Sequence, residues 1–502
     1  MEQYILALDQ GTTSSRAVLF NKKGNPVSSA QHEFKQYYTK AGWVEHDPEE
    51  LFLSQVQAAS DALEAAKINP SNIAAIGIAN QRETTLVWER ETGKPIYNAI
   101  VWQCRRTADL CEKLKAQGLE EYVAEKTGLL IDAYFSGTKL QWILDNIPGA
   151  RLKADQGKLL FGTVETFLIW RLTGGKVHIT DYSNASRTMF FDINSLSYDS
   201  ALLKAMNIPN SLLPEPCPSS QIYGTVSKSI KGIEVLAGIP IAAALGDQQA
   251  ALFGQACLSA GQAKNTYGTG CFLMRHTGSK PFRSRTRLLT TIAWGLSEKE
   301  AEYALEGSVF NAGSIIKWLR DDLGIIKHAA EVSALAQSVP DALGAYLVPA
   351  FTGLGAPFWD MYARGALVGL TRGFTRAHFA RAALEAIAYQ VADLAEAIQA
   401  DTGLTLTDLK ADGGASVSDV LMQFQADILN CSIHRPKSIE STALGAAYSA
   451  GLAVGLWRDK NETAANYEAE RVFTPQMAEA ERRAKKAGWN HAVQRSLNWE
   501  QT

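Results

Sequence analysis

Two Gly/Thr turns and a small set of charged side chains are the parts of this chain with the means to do chemistry. The first turn, Asp9-Gln10-Gly11-Thr12-Thr13-Ser14-Ser15-Arg16, lies between the apolar runs Ile5 to Leu8 and Ala17 to Phe20. A turn of this kind offers backbone N–H groups and hydroxyls to a phosphate, and Arg16 adds positive charge. Asp9, at the end of the first run, suits Mg²⁺ held through water, a common mode for that ion. The same residues also read as an ordinary polar hairpin turn. A matching turn, Gly268-Thr269-Gly270, favours the phosphate reading, because a nucleotide held between two domains needs a hairpin from each.

Arg82 and Glu83 follow the apolar run Ile73 to Ala79 in the segment Asn80-Gln81-Arg82-Glu83-Thr84. Strand ends of α/β sheets are where ligands bind. There Arg82 supplies a donor fork and Glu83 an acceptor, a match to vicinal hydroxyls; a surface ion pair is the plainer alternative. Asp247 follows the run Ile239 to Leu245 in Gly246-Asp247-Gln248-Gln249-Ala250. A lone carboxylate beside phosphate-binding turns suits a general base for an alcohol that attacks phosphorus. Asp before Gln-Gln-Ala-Ala-Leu is equally a helix N-cap, and the two roles are compatible.

These residues need elements to position them. The start reads as two strands around the first turn and a second hairpin at Asn21 to Pro26. A helix from about Pro48 to Lys67 and the strand Ile73 to Ala79 come next. The pattern returns at Asn265 to Met274, in a helix around Ala380 to Gln399, in the strand Leu409 to Ala411 and in a Gly-Gly turn that opens another helix. This argues for mixed sheets flanked by helices and for a distant internal duplication, joined near Gly254 to Gly261. Beyond residue 458 the chain is charged and helix-prone at Ala478 to Ala487, with Trp489 and Trp499 to anchor it.

Composition narrows the rest. A chain of 502 residues is too long for one hydrophobic core, so two large domains are expected. Hydrophobic residues at 46% and charged residues at 20% are ordinary for a globular protein, and a net charge of -3 gives no footprint for nucleic acid. The six cysteines include no C-x-x-C pair, which argues against a zinc site or a disulfide framework and for small core residues in a reducing compartment. No basic region with a small-residue cleavage site opens the chain, and the run Ile239 to Leu245 is too short for a bilayer. A cytoplasmic protein without membrane insertion is expected.

The two hairpins, with Asp412-Gly413-Gly414-Ala415 opening a late helix, resemble the architecture shared by actin, hexokinase and the heat-shock chaperone ATPases. No G-x-x-x-x-G-K-[ST] or G-x-G-x-x-G occurs as a competing nucleotide signature. More specifically, DQGTTSSRAV, ANQRET, GDQQAALFGQ, YGTGCF and GLGAPFWDMYARGALVGLTRG resemble, in order and spacing, the FGGY carbohydrate kinase family, over Ile5 to about Leu456. The resemblance implies an α/β fold with two actin/hexokinase-like (ribonuclease H-like) domains around an interdomain cleft. It implies a polyol- and phosphate-binding domain over 1–253, a nucleotide-binding domain over 254–457 and a helical extension over 458–502.

The activity so implied is ATP-dependent phosphorylation of glycerol to glycerol 3-phosphate; a kinase of another small polyol or ketose on the same fold is the alternative. Asp247 is the implied catalytic base. Arg82, Glu83, Tyr134, Asp247 and Gln248 are the implied polyol ligands, with Trp102 and Phe272 as walls. Thr12, Thr13, Ser14, Arg16 and Thr269 are the implied phosphate contacts, Gly313 and Gly414 line the nucleotide cleft, and Asp9 and Asp247 hold Mg²⁺. Lys317 and Ser418 stand where the family often has Gln and Asn on the nucleotide side. The resemblance also implies a homo-oligomer, dimer or tetramer.

Overall fold

The apolar runs become the inner strands of two sheets in the computed structural model, which describes residues 2–500. In the first half β1 (Tyr4–Gln10), β2 (Ser14–Asn21) and β3 (Pro26–Glu33) form an antiparallel meander. After α1 (Pro48–Ala66) the chain lays β4 (Ile73–Asn80) parallel to β1. A long insertion containing α2 (Ser136–Asn146) precedes β5 (Ser220–Thr225) and β6 (Pro240–Gly246), and β6 runs parallel to β4. The sheet order is β5-β6-β4-β1-β2-β3. Strands β1, β4 and β6 are buried almost throughout, so they read as continuous apolar runs instead of alternating ones. Helix α1 begins where Asp47 accepts the N–H of Glu49 at 2.8 Å and Pro48 takes the first helical position.

The second half starts after α3 (Asp247–Gly254). It contains β7 (Ala263–Tyr267), β8 (Cys271–Gly278), β9 (Leu289–Ser297) and β10 (Glu300–Val309), then α4 (Gly313–Asp321) and α5 (Arg376–Thr402). Next come β11 (Asp408–Asp412), α6 (Asp419–Leu429), β12 (Ser432–Pro436), α7 (Ser441–Ala453), β13 (Ala469–Phe473) and α8 (Glu479–Gln494). Its sheet order is β9-β10-β8-β7-β11-β12-β13. Without the edge strands β5, β9 and β13 the two sheets share one order, β3-β2-β1-β4-β6 and β10-β8-β7-β11-β12, with the same parallel and antiparallel pairings. The duplication that the sequence carried only as a pattern is a repeat of topology.

Helices α3 and α7, each following the last parallel strand of its half, pack on one another, and α7 also lies on β1, β4 and β6 of the first sheet. Glycine makes this approach possible. A Cβ on Gly445 would stand 1.8 Å from the carbonyl oxygen of Ala250, one on Gly254 2.1 Å from that of Ser441, and one on Gly77 2.2 Å from that of Ala446. All six cysteines are free and buried. Trp489 anchors α8, stacked on Tyr389 and donating to Asp393 at 2.8 Å. Trp499, expected to do the same, is 67% exposed and anchors nothing, because it lies past the end of the helix. Among the described residues no helix is long and apolar enough to cross a membrane.

Gly445→Ala puts a methyl group into the backbone of the facing helix. Overpacking of this kind costs about 1–3 kcal/mol. The thermal melting midpoint is expected to fall and turnover with it, because α3 carries Asp247; a melt superimposable on wild type would show that the two helices separate freely.

Candidate active site

The strand ends of both sheets converge. In the first half the turn after β1 closes with the N–H of Gly11 donating to Ser14 O at 2.9 Å, and Gln81, just past β4, donates its backbone N–H to Gln10 O at 2.8 Å. This places Arg82 and Glu83 beside the Gly-Thr turn. In the second half Gly268 N donates to Gly270 O at 2.9 Å, and the N–H of Gly313, first residue of α4, donates to Gly268 O at 2.9 Å.

Arg82 and Glu83 are not a surface pair: they are 2% and 1% exposed. Nor is the Arg82 fork free for hydroxyls. Its Nη1 and Nη2 donate to the two carboxylate oxygens of Glu306 on β10, at 2.6 and 2.7 Å, and further to Gln249 at 3.3 Å and the Tyr134 hydroxyl at 3.1 Å. Its Nε lies 3.5 Å from Asp247 Oδ1 and 3.7 Å from Glu83 Oε1. Arg187, fully buried, donates from Nε to Glu83 at 2.7 Å and from Nη2 to Glu306 at 3.3 Å. Burial would raise the Glu306 carboxyl, but the Arg187 and Arg82 guanidiniums outweigh it and hold the pKa down to about 2. Sequence reasoning missed Glu306 and Arg187. Glu306 had one signal, a carboxylate inside the apolar strand Tyr303-Ala304-Leu305-Glu306, which must be paired to be buried; that strand says nothing of Arg187.

Asp247 opens α3 as its first helical residue, with Gly246 at the cap position. Its carboxylate accepts the Gln248 N–H at 2.7 Å and keeps 28% of its side chain exposed. Burial pushes the Asp247 pKa above the usual range, against the opposing pull of Arg82 and with Glu83 adding to the rise. Gly246, before it, donates its N–H to Ser183 Oγ at 2.9 Å. Gln248 accepts from the buried Lys264 Nζ at 2.6 Å. The aromatic rings meet as a corner, with Trp102 5.6 Å from Tyr134 and 6.3 Å from Phe272, centroid to centroid. The Trp102 indole N–H donates to Thr12 Oγ1 at 2.9 Å, joining the aromatic wall to the first turn. Arg82, Glu83, Trp102, Tyr134, Asp247, Gln248 and Phe272 thus form one cluster.

The remaining residues sit around it. Thr13 is exposed, and Ser14 Oγ accepts from Gln31 at 2.8 Å. Arg16 pairs with Gln31 at 2.7 Å and with Glu440 of the second half, so part of its charge is already matched. Thr269 is exposed at the tip of the second turn, and its carbonyl accepts the N–H groups of Ala312 and Ser314. Gly414 is exposed with open space where a Cβ would stand. Lys317 is exposed one turn into α4. Ser418 is buried as the N-cap of α6; its hydroxyl accepts the Leu421 N–H at 3.3 Å and a bond from Ser333 at 2.7 Å.

Asp9, near the end of β1, and Asp247, directly after β6, lie at the same edge of the first sheet. Burial pushes the Asp9 pKa up to about 7; Arg16 opposes the rise and Asp247 adds to it. Among the described residues no three His, Cys, Asp or Glu side chains form a metal cage. Two partly desolvated carboxylates that repel one another do suit a cation that keeps much of its water, as Mg²⁺ does.

The chain resembles known proteins over its whole length. Residues 4–254 match the N-terminal domain of the FGGY family of carbohydrate kinases and residues 263–454 match its C-terminal domain. Glycerol kinase 2 of Thermotoga maritima is 58% identical over 498 residues, 99% of each chain. A glycerol kinase of Alkaliphilus metalliredigens is 59% identical over 500 residues, 100% of this chain and 99% of that one. The crystal structure of Plasmodium falciparum glycerol kinase with ADP superimposes with a TM-score of 0.91 at 37% identity, covering 100% of this chain and 99% of the other.

Gly413 has φ 87°, and a Cβ there would lie 2.7 Å from the carbonyl oxygen of Tyr267, directly before the second turn. In Gly413→Ala the backbone strain, about 1–3 kcal/mol, must displace one of these two turns. The KM for ATP is expected to rise with little change in the KM for the second substrate, and steady-state kinetics with each substrate varied in turn would show it. An unchanged KM for ATP would separate this turn from nucleotide binding.

Proposed function

This chain belongs to the FGGY family of carbohydrate kinases, and from that premise we infer that it transfers the γ-phosphoryl group of ATP to glycerol. The observation that carries the reading is a buried Arg82–Glu83 pair beside Asp247, walled by Trp102, Tyr134 and Phe272 and flanked by a Gly/Thr turn from each half. A few fixed polar groups among apolar walls suit a three-carbon polyol. Whole-length identity of 58–59% to proteins named glycerol kinase supports glycerol over a larger polyol or a ketose.

We assign polyol and phosphate binding to residues 1–253 and nucleotide binding to residues 254–457. A terminal hydroxyl of glycerol gives its proton to a carboxylate oxygen of Asp247, and a lone pair of the glycerol hydroxyl oxygen forms the new bond to the γ-phosphorus. The bond from γ-phosphorus to the bridging oxygen of ATP breaks on the opposite side, and ADP leaves. Arg82 at 3.5 Å favours the ionised form of Asp247, while burial keeps its basicity above that of an exposed aspartate. Asp9 and Asp247 would hold Mg²⁺, which when bound neutralises phosphate charge. Thr12, Thr13, Ser14 and Arg16 on one side and Thr269, Gly313 and Gly414 on the other would flank the phosphates. The walls of Trp102 and Phe272 would help keep water from the γ-phosphorus, which limits hydrolysis of ATP.

Asp247→Asn should fold and bind glycerol while kcat falls about 10²–10⁴-fold, the range for loss of a general base. Near-normal turnover in the variant would remove Asp247 from the mechanism.

The raised Asp247 pKa fixes the sign of the pH dependence. As pH falls through it, the carboxylate takes a proton and can no longer accept one from glycerol. Wild-type kcat/KM for glycerol should therefore decline on the acid side, at a pH above the ordinary aspartate range, and this limb should vanish in the residual activity of Asp247→Asn. A profile flat down to the ordinary aspartate range would contradict the assignment.

A further inference from the structure

We infer that Glu306 and Arg187 are positioning residues of the polyol subsite, which aim the substrate-facing edge of Arg82 and Glu83 and make that subsite depend on both halves of the chain. This rests on the reading of Arg82 and Glu83 as polyol ligands. The argument is a count of donors. A guanidinium has five N–H bonds in a rigid plane. Both terminal nitrogens of Arg82 are engaged, each with one bond to Glu306 at 2.6 or 2.7 Å and a second to Gln249 or Tyr134. Only Nε lacks a close acceptor, since 3.5 Å to Asp247 and 3.7 Å to Glu83 exceed good hydrogen-bond lengths. That N–H therefore faces two carboxylates across a gap, where a hydroxyl can accept from Nε and donate to Glu83 or Asp247.

What holds this edge in place comes from elsewhere. Glu306 lies on β10 of the second sheet, while Arg82 follows β4 of the first. The bidentate contact fixes both the rotation and the depth of the guanidinium. Arg187 completes the arrangement by tying the Glu83 carboxylate, at 2.7 Å, to the same Glu306, at 3.3 Å. Glu306 has both carboxylate oxygens on Arg82, and Arg187 bonds Glu83 through Nε, so these two act through Arg82 and Glu83.

Glu306→Asp tests this, because it keeps the charge and withdraws the carboxylate by one methylene. The KM for glycerol is expected to rise about ten- to a hundredfold, as for a weakened bond to a charged group, with the KM for ATP within about threefold of wild type and the melting midpoint close to it. Arg187→Lys, which keeps charge but loses the bridging fork, should show the same split and serves if Glu306→Asp does not fold. A wild-type KM for glycerol in either folded variant would overturn the inference, and so would equal increases in both KM values, the mark of a merely structural role. Wild-type turnover on glycerol is measured alongside. Its absence would remove the polyol reading itself, whereas normal wild-type turnover with unaltered variants would remove only the role of Glu306 and Arg187.

Discussion

Four charges with almost no access to water, Arg82, Arg187, Glu83 and Glu306, are the constraint around which the site is organised. Taking even one of them out of water unpaired would cost several kcal/mol, so each must find its partner when the chain folds. The partners come from distant parts of the sequence: Arg82 and Glu83 from a strand end of the first sheet, Arg187 from the insertion between β4 and β5, and Glu306 from the second sheet. An arrangement of the two halves that parted Glu306 from Arg82 and Arg187 would leave buried charge unmatched. Buried ion pairs are weak sources of stability, but removing one partner leaves an uncompensated buried charge and is strongly destabilising.

The repeated topology explains why the charges meet where the two turns meet. In each half the first strand and the parallel strand beside it end at the same edge, and a Gly/Thr turn follows the first strand. Glycines in α3 and α7 let two backbones touch, and this brings the two edges together. Asp247, the first residue of α3, is thereby held at the centre of the contact. The same geometry desolvates it and Asp9, which raises the pKa of both and suits them to a proton and to a cation respectively.

Local patterns in the sequence were enough for much of this. The apolar runs identified β1, β4 and β6 because strands buried on both faces leave an unbroken hydrophobic signature. The Gly/Thr turns, Arg82–Glu83 and Asp247 were legible because each is a polar group at the end of such a run. The family resemblance added Trp102, Tyr134 and Phe272, whose residue types alone would say core, and the structure draws their rings together.

Pairing across long separations was decided by tertiary structure alone. The sequence offered Arg82 a fork with hydroxyls as its natural partner; the fold gives that fork to Glu306, 224 positions away, and leaves the Nε edge to the cleft. Arg16, expected at a phosphate, is partly matched by Glu440, and Ser418, expected at the nucleotide, caps α6. No local window records these partners, because burial and long-range charge matching depend on how the two sheets are brought face to face. The sequence by itself determined which groups are available for chemistry, since that depends on residue type and on the nearest run of apolar neighbours. Which atom of each group faces the substrate was decided only when the two halves came together and desolvation forced every other charge to be paired.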